Sequence, residues 1–306
     1  MRMLIVGAGS VGGYFGGRLA SAGRDVTFLV RRARLAQLAA GLTLVSHGED
    51  SVIPVKAVTA DEVAGKFDVI LLAVKSYQLT AAINDCRASV GEETLILPVL
   101  NGMRHMDTLR SAFGSSQVLG GAAQLAASLD ERGRILDHGR VHDLAYGEWN
   151  GEKSDRVLAL HRYLDGAGFD ARLSTEIERE MWEKWATLAS LGAITCLMDG
   201  NIGEVARAPG GIELAQRLFG EVVAAIGVAW RPLSGEFKER SMRLFTDTAS
   251  SMTSSLYRDM KAGHAVEADQ IIGDLVARAA AHGVTTALLS AALVRLKVYE
   301  AKRGGG

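Results

Sequence analysis

Few cysteines and no long apolar run limit what this chain of 306 residues can be. The two cysteines, Cys86 and Cys196, lie far apart without a CxxC spacing, which argues against a disulfide scaffold or zinc site and favours a reducing compartment. The seven histidines show no ligand spacing either, so we expect no metal. No stretch approaches the roughly 18 uninterrupted apolar residues of a transmembrane helix. With no visible signal peptide, we expect a cytoplasmic protein.

A charge excess of either sign is also missing. The 34 Lys and Arg residues nearly balance the 35 Asp and Glu residues, leaving a net charge of −1. The sequence therefore gives no electrostatic reason to expect nucleic acid or an anionic membrane as a partner. A content of 48% hydrophobic and 23% charged residues is typical of globular proteins, and 306 residues exceed what one core usually fills. We expect two domains.

The most informative feature that is present is a glycine motif at the start of the chain, Gly7-x-Gly9-x-x-Gly12. It lies between a predicted strand at Arg2–Val6 and a predicted helix over residues 11–22, and a second strand is predicted over residues 25–30. This is the βαβ setting of a dinucleotide site, in which the pyrophosphate lies against backbone N–H groups at the helix N-terminus. The predicted cofactor contacts here are Gly7, Gly9, Ser10, Val11 and Gly12. The alternative is a purely structural glycine turn.

The end of the second strand indicates which dinucleotide is used. NAD sites place a carboxylate there for the ribose hydroxyls, whereas NADP sites place an arginine nearby for the 2′-phosphate. This strand ends in Val30-Arg31-Arg32, and Asp25 lies at its opposite end. A guanidinium pair suits a phosphate dianion, so the sequence favours NADP. The alternative is a solvated charge pair after a strand.

Further buried strands are predicted over residues 67–74, 94–100 and 117–119. Lys75 follows the first of these and Asn101 follows the second. Ligands of open α/β sheets bind beyond the carboxyl ends of the strands, so topology places both residues near the cofactor. A solvated lysine and an Asn-Gly turn are the simpler alternatives.

The pattern changes after residue 120. Residues 120–147 predict an antiparallel extension of the sheet, followed by a helix near residues 152–166 and a strand over residues 169–173. From Thr175 onward the apolar spacing is helical. We therefore predict a dinucleotide-binding domain over residues 1–174 and a helical domain over residues 175–306, whose long apolar helices are compatible with a homodimer.

Three motifs in the helical domain carry a resemblance to a known family. They are Glu178-x-x-Met-Trp182-Glu-Lys184, Ser254-Ser255-Leu-Tyr-Arg-Asp259 and Gly263-His-Ala-Val-Glu267-Ala-Asp-x-Ile271-x-Gly273. With Arg31, Lys75 and Asn101-Gly102-Met103 in matching order, the chain resembles the ketopantoate reductase (2-dehydropantoate 2-reductase) family over nearly its whole length. The resemblance implies an α/β Rossmann-like domain followed by an all-α domain like the C-terminal domain of 6-phosphogluconate dehydrogenase.

The resemblance also implies the activity and the roles of particular residues. The reaction is NADPH-dependent reduction of a 2-keto acid to a 2-hydroxy acid, as in the conversion of 2-dehydropantoate to pantoate for pantothenate biosynthesis. Lys184 would donate a proton to the keto oxygen, Glu267 would hold Lys184 and the substrate, and Ser255 would contact the carboxylate. Arg31, Lys75 and Asn101 would serve the cofactor, with Asn101 also near the reacting carbon. Asp259, Trp182 and Trp185 are assigned structural roles only.

Three positions depart from the family pattern. Asparagines common in the family are replaced by Leu188, Gly192 and Met252, so the helical face beside Lys184 is apolar except for Thr195. These residues are assigned to the substrate pocket, and the exact 2-keto acid stays open. One alternative is a related hydroxyacid, opine or imine-type reductase with a less polar substrate. Another is a non-catalytic NADPH-binding regulator, which the presence of both Lys184 and Glu267 disfavours. Thr195 or Ser254 could also replace the missing polar contacts.

Overall fold

The computed structural model describes residues 1–46 and 48–304. The chain divides into two compact units, the first formed by Met1–Leu100 and His105–Glu180, and the second by Asn101–Arg104 and the chain from Met181 onward. The strands are β1 (Arg2–Val6), β2 (Asp25–Leu29), β3 (Leu42–Ser46), β4 (Glu49–Ile53), β5 (Lys56–Val58), β6 (Phe67–Leu72), β7 (Val90–Pro98), β8 (Gly120–Leu129), β9 (Ile135–Gly147) and β10 (Asp170–Leu173). The helices before residue 175 are α1 (Ser10–Ser21), α2 (Arg32–Gln37), α3 (Leu79–Cys86), α4 (Arg104–Phe113) and α5 (Asp155–Leu164).

The first unit is built on a parallel sheet of five strands in the order β5-β2-β1-β6-β7. Apart from their exposed residues at one end, β1 and β6 are nearly continuous buried apolar runs, as parallel strands covered on both faces must be. The chain extends the sheet in opposite directions from β1, so β1 and β6 flank the point at which the strand order reverses. Ligands of this fold class bind at that point. The α/β Rossmann-like class predicted from the sequence is confirmed.

A second sheet in the same unit has the order β10-β9-β3-β4, and β8 pairs antiparallel with β9. The antiparallel pairing of β8 with β9 was expected, but as an extension of the first sheet, whereas both strands belong to this second sheet because β9 pairs with β3 and β10. Strands β3 and β4 were not expected from the sequence. The reason is visible in β4, where four of five residues are exposed and no apolar alternation marks a strand. The predicted strand at residues 117–119 is reduced to a single parallel bridge between Val118 and Ile96.

Helix α1 contacts strands of both sheets, and Tyr14, Phe15 and Leu19 on it are fully buried. The predicted helix boundaries of α1 are shifted by one residue, to Ser10–Ser21. Strand β6 ends at Leu72, two residues before the predicted end, and β7 begins at Val90, four residues before the predicted start. Polar residues such as Glu92 and Glu93 hide the first half of β7 from an apolar pattern.

Helices build the second unit, as predicted from residue 175 onward. They are α6 (Ile177–Met198), α7 (Ile202–Arg207), α8 (Gly211–Ala229), α9 (Gly235–Phe245), α10 (Ser255–Lys261), α11 (Asp274–Ala281) and α12 (Ala287–Gly304), with a π-helical turn at Asp269–Gly273 directly before α11. Among the described residues no strand follows Leu173. None of the described helices has both the length and the apolar character needed to span a membrane.

The start of α6 belongs to the first unit. Arg172 and Ser174 both donate hydrogen bonds to Glu180, with the Ser174 bond 2.5 Å long, which ties the first turn of α6 to β10. The two units therefore divide at Glu180 and Met181, within α6. The domain boundary predicted at residues 174 and 175 stays a prediction.

Candidate active site

The three motif glycines occupy three different surroundings. Gly7 follows β1 with a φ of +96°, and a Cβ atom there would lie 2.9 Å from the Ala73 carbonyl oxygen. A Cβ atom at Gly12 would lie 2.1 Å from the Gly7 carbonyl oxygen and 2.8 Å from the Ala73 Cβ. At Gly9, by contrast, a Cβ atom would have no heavy atom within 4 Å. The turn is therefore closed against the sheet at Gly7 and Gly12 and open at Gly9.

The open side of this turn fits an anionic dinucleotide. Gly9 is the N-cap of α1 and supplies no side-chain cap, and the first turn of the helix contains no acidic residue. The helix N-terminus thus keeps N–H donors and a positive dipole end without a competing carboxylate. A pyrophosphate needs this combination of bare backbone and unpaired donors. These observations favour the dinucleotide interpretation of Gly7, Gly9, Ser10, Val11 and Gly12 over a purely structural turn.

The two arginines after β2 have different surroundings. Arg32 donates through Nη2 to Asp61 Oδ2 at 3.0 Å, so its charge is already paired. Arg31 is exposed and is the N-cap residue of α2, and its side chain makes no hydrogen bond or ion pair with any described residue. Asp25 is the first residue of β2 and lies at the far end of that strand. Arg31 is therefore the arginine of the pair that keeps a guanidinium available at the carboxyl end of β2.

Lys75 is half-buried and comes three residues after the end of β6. Its segment borders the glycine turn, because Ala73 N donates to Val6 O at 3.0 Å and Val74 Cγ1 would lie 3.0 Å from a Cβ at Gly7. The structure thus brings the Lys75 segment beside the predicted cofactor turn.

In the second unit, the π-helical turn joins segments that carry predicted site residues. Trp185, next to Lys184 on α6, donates through Nε1 to Ile271 O at 2.9 Å. Gln270 donates through Nε2 to the Asn101 carbonyl oxygen at 2.9 Å. The turn begins two residues after Glu267. Such turns leave carbonyl groups outside the regular helical pattern and recur at functional sites.

Lys184 and Glu267 themselves are enclosed. Lys184 is half-buried and Glu267 is 6% exposed. Gly102, the residue after Asn101, has a φ of +78°, and a Cβ there would lie 2.6 Å from Gln270 O. Only glycine fits this contact, so the Asn101 segment is seated closely on the turn that follows Glu267.

The substrate-pocket residues predicted from departures in the family pattern fall into two groups. Gly192 is buried, and a Cβ there would lie 3.2 Å from Leu256 Cδ2, next to Ser255 at the start of α10. Leu188 lies one helical turn earlier on α6 and is half-buried. Met252 is 39% exposed, and its carbonyl accepts from Ile202 N at 3.0 Å. The structure therefore packs the Gly192 position on the α10 segment that carries Ser255, and no described contact joins Met252 to them.

Thr195 and Ser254 are engaged with each other. Thr195 Oγ1 donates to Leu191 O at 2.7 Å and lies 2.9 Å from Ser254 Oγ, which in turn accepts from Tyr257 N. The two residues are 0% and 3% exposed. Both hydroxyl groups therefore serve the packing of α6 on α10 rather than an open pocket.

Gln270 is the residue in this region that sequence analysis missed. Position 270 is a variable position of the third motif, and a glutamine within a helical pattern does not by itself indicate a functional role. Its contact with Asn101 spans 169 residues, so no local pattern could reveal it. Among the described residues no cluster of three or more His, Cys, Asp or Glu side chains could hold a metal ion, and Cys86 and Cys196 are free and buried.

The fold defines a class of protein. The strand order of the first sheet, the glycine turn after β1 and the helical second unit are typical of two-domain dehydrogenases that bind a dinucleotide. Comparison with known proteins gives the family. The family model "Ketopantoate reductase PanE/ApbA" matches residues 3–151, and the model of its C-terminal domain matches residues 176–300. The chain belongs to the ketopantoate reductase family and is an oxidoreductase that acts on a CH–OH group. Members of this family bind a nicotinamide dinucleotide.

Individual relatives are similar along their whole length. The uncharacterized oxidoreductase YkpB of Bacillus subtilis (strain 168) is 36% identical over 304 residues, covering 99% of this chain and 100% of that one. The crystal structure of a 2-dehydropantoate 2-reductase from Geobacter metallireducens GS-15 has a TM-score of 0.86 at 26% identity, covering 97% and 99% of the two chains. D-mandelate dehydrogenase, solved with NADH and anilino(oxo)acetate, shares the fold with a TM-score of 0.88 at 22% identity, covering 99% and 100%.

The bond from Trp185 to Ile271 gives a stability prediction. Trp185→Phe should lower the free energy of unfolding by about 1–3 kcal/mol more than Trp182→Phe, because it leaves a buried carbonyl without its donor. Trp182 is the matched control, since it is also buried and its Nε1 has no hydrogen-bond partner among the described residues. Urea unfolding of both variants measures the difference. Equal losses would show that the Trp185 bond contributes nothing beyond packing.

Proposed function

We propose that this protein reduces a 2-keto acid to a 2-hydroxy acid with NADPH. The observation that carries the proposal is the junction at the π-helical turn. Hydrogen bonds from Trp185 and Gln270 connect the helix that carries Lys184, the segment after Glu267 and the Asn101 loop within one compact unit. These three segments carry Lys184, Glu267 and Asn101, to which the family resemblance assigns roles at the reacting carbonyl. Ser255, on the helix packed against Gly192, completes the set.

The chain's own residues supply the acid chemistry and the orientation of the substrate. The bound dinucleotide would supply the hydride. As the carbonyl carbon is reduced, negative charge develops on its oxygen, and the Lys184 ammonium both stabilises that charge and donates the proton. The buried Glu267 carboxylate orients Lys184 and the substrate, and the Ser255 hydroxyl donates to the substrate carboxylate. A regulator without turnover would not need this proton donor.

The substrate we propose has an aliphatic tail without a hydroxyl group. At Gly192 the space that an asparagine side chain would need is taken by Leu256, 3.2 Å from the Cβ position. Leu188 presents an apolar side chain, and the hydroxyls of Thr195 and Ser254 are already bonded to each other and to backbone groups. These described residues therefore offer no available polar group that would form a hydrogen bond with a hydroxyl on the tail of the substrate. Ketopantoate, and with it a place in pantothenate synthesis, remains a possible slower substrate.

NADP is the cofactor that the surroundings of Arg31 favour. Its guanidinium is exposed and unpaired among the described residues, and β2 has no carboxylate at its carboxyl end. The related hydroxyacid, opine or imine-type reductases would share this cofactor chemistry and differ in substrate. A homodimer stays a prediction, for which Val294 and Val298, exposed one turn apart on α12, are the first places to test.

Arg31→Ala should reduce the preference for NADPH over NADH by about 1–3 kcal/mol, the scale of a lost charge-assisted contact. The measurement is the dissociation constant of each cofactor for the unmodified protein and the variant. Arg32→Ala is the comparison, because Arg32 is paired with Asp61. Equal affinity of the unmodified protein for the two cofactors would refute the assignment, and a larger effect of Arg32→Ala would transfer it to that residue.

Lys184→Ala should lower kcat by about 100-fold or more, because a positioned proton donor typically contributes about 100- to 10,000-fold. NADPH affinity should change little, whereas Glu267→Gln should mainly raise KM for the keto acid. Lys238→Ala, on the exposed surface of α9, is the control. Turnover is followed as NADPH oxidation with a panel of 2-keto acids. Near-full activity of Lys184→Ala on the best substrate would remove Lys184 from the mechanism.

For substrate choice, kcat/KM for an unhydroxylated branched 2-keto acid should equal or exceed that for ketopantoate. Apolar pockets reject an added hydroxyl only weakly, by about 100-fold at most. Leu188→Asn should shift the ratio toward ketopantoate, and Leu188→Ala, which removes bulk without adding an amide, should not. A strong preference of the unmodified protein for ketopantoate that Leu188→Asn leaves unchanged would show that other groups recognise the hydroxyl.

A further inference from the structure

Arg34 lies beneath the glycine turn and has no role in the chemistry described above. It is half-buried on α2, and its Nε donates to the Ala8 carbonyl oxygen at 2.9 Å. Its Nη1 donates to Gly133 O at 2.7 Å and to Gln37 Oε1 at 3.1 Å. One guanidinium group thus joins the glycine turn, α2 and the turn between β8 and β9.

Arg34 differs from the two arginines before it, which are the N-cap and the first residue of α2. Arg31 is exposed and Arg32 is paired with Asp61, whereas the Nη2 of Arg34 is buried and has no hydrogen-bond partner among the described residues. Burial lowers the pKa of Arg34 from its usual value. Asp130 nearby acts on that pKa in the opposite direction. Arginine keeps its charge in proteins, so a half-buried positive charge lies next to the turn, and the three hydrogen bonds of Arg34 offset part of the cost of its burial.

The bond to Ala8 has a geometric consequence for Gly9. In a trans peptide the carbonyl oxygen of one residue and the N–H of the next point in opposite directions. By holding the Ala8 carbonyl, Arg34 fixes the direction of the Gly9 N–H, which points away from the guanidinium. That N–H has no acceptor among the described residues, and the Cβ position of Gly9 faces open space.

We propose that Arg34 is a positioning residue that aims the Gly9 N–H at the pyrophosphate of the dinucleotide and adds a half-buried positive charge behind the turn. The proposal rests on the dinucleotide site of the proposed function. Pyrophosphate is common to NAD and NADP, so Arg34 strengthens the binding of both cofactors equally. Arg31, in contrast, serves the 2′-phosphate, which only NADP carries.

Gly133 offers a second way to disturb Arg34. It has a φ of +77°, and a Cβ atom there would lie 2.4 Å from Arg34 Nη1. Gly133→Ala therefore has to displace the guanidinium without changing any residue of the glycine turn or of α2. Its effect on cofactor binding should have the same pattern as that of an Arg34 variant.

The test is calorimetric titration of the full-length protein with NADP⁺ and with NAD⁺. Arg34→Met should raise both dissociation constants by about 10-fold or more and leave their ratio within about twofold, since about 1.4 kcal/mol corresponds to a factor of ten. Arg34→Lys, which keeps the charge but not the forked donor, should lie between Arg34→Met and the unmodified protein. Gly133→Ala should raise both constants together. At saturating cofactor, kcat should stay within about twofold.

Each other outcome overturns the proposal in a recognisable way. A rise confined to NADP⁺ would make Arg34 a reader of the 2′-phosphate, and unchanged constants would leave it a structural arginine only. If Arg34→Met fails to fold, the ratio of the NADP⁺ and NAD⁺ dissociation constants in Arg34→Lys and Gly133→Ala tests the proposal instead. A fall in kcat at saturating cofactor without a change in either constant would also contradict it. If the unmodified protein binds neither nucleotide, the dinucleotide site itself is refuted, separately from Arg34.

Discussion

The close approach of the first glycine turn to the end of β6 is the constraint on which the N-terminal unit depends. Gly7 and Gly12 lie so near Ala73 that neither position has room for a Cβ atom. This contact sets where α1 begins, and therefore where its unpaired N–H groups lie relative to the carboxyl ends of the strands. Arg34 holds the other side of the same turn through Ala8. Contacts of the backbone with Ala73 and Arg34 therefore determine where the N–H groups at the start of α1 lie.

The second unit holds together three segments from distant parts of the chain, and these segments carry the side chains proposed to take part in the reaction. The π-helical turn at Asp269–Gly273 does so by accepting a bond from Trp185 and by carrying the Gln270 side chain to Asn101. The Ile271 carbonyl in this turn is a buried acceptor for Trp185, on the helix that carries Lys184. Turns of this kind recur at functional sites.

Much of the fold could be predicted from the sequence, because buried parallel strands and long apolar helices leave strong local patterns. The residues of β1 agree with the structure, and the helical character after residue 175 is confirmed. Strand β4 was missed because it is largely exposed. Strand β3, which pairs with β4 beside it in the chain, was missed too, and its other partner, β9, lies far along the chain. In the candidate site, the glycine motif and its turn could be predicted, whereas the contacts of Gln270 and Arg34 could not, since each side chain donates to a distant backbone carbonyl.

By itself, the sequence determined the dinucleotide turn, the two-part organisation and the family, because each depends on residue types at fixed local spacings. Only the tertiary structure decided which chemically similar groups are available. It paired Arg32 with Asp61 and left Arg31 exposed, although the two are neighbours in sequence. It also placed the hydroxyls of Thr195 and Ser254, 59 residues apart, within hydrogen-bond distance of each other. Because these hydroxyls are engaged with each other, they are less available to bind a substrate. Whether a polar side chain is available depends on the partners that folding brings within hydrogen-bond distance. The spacing of residues in the sequence does not reveal these partners.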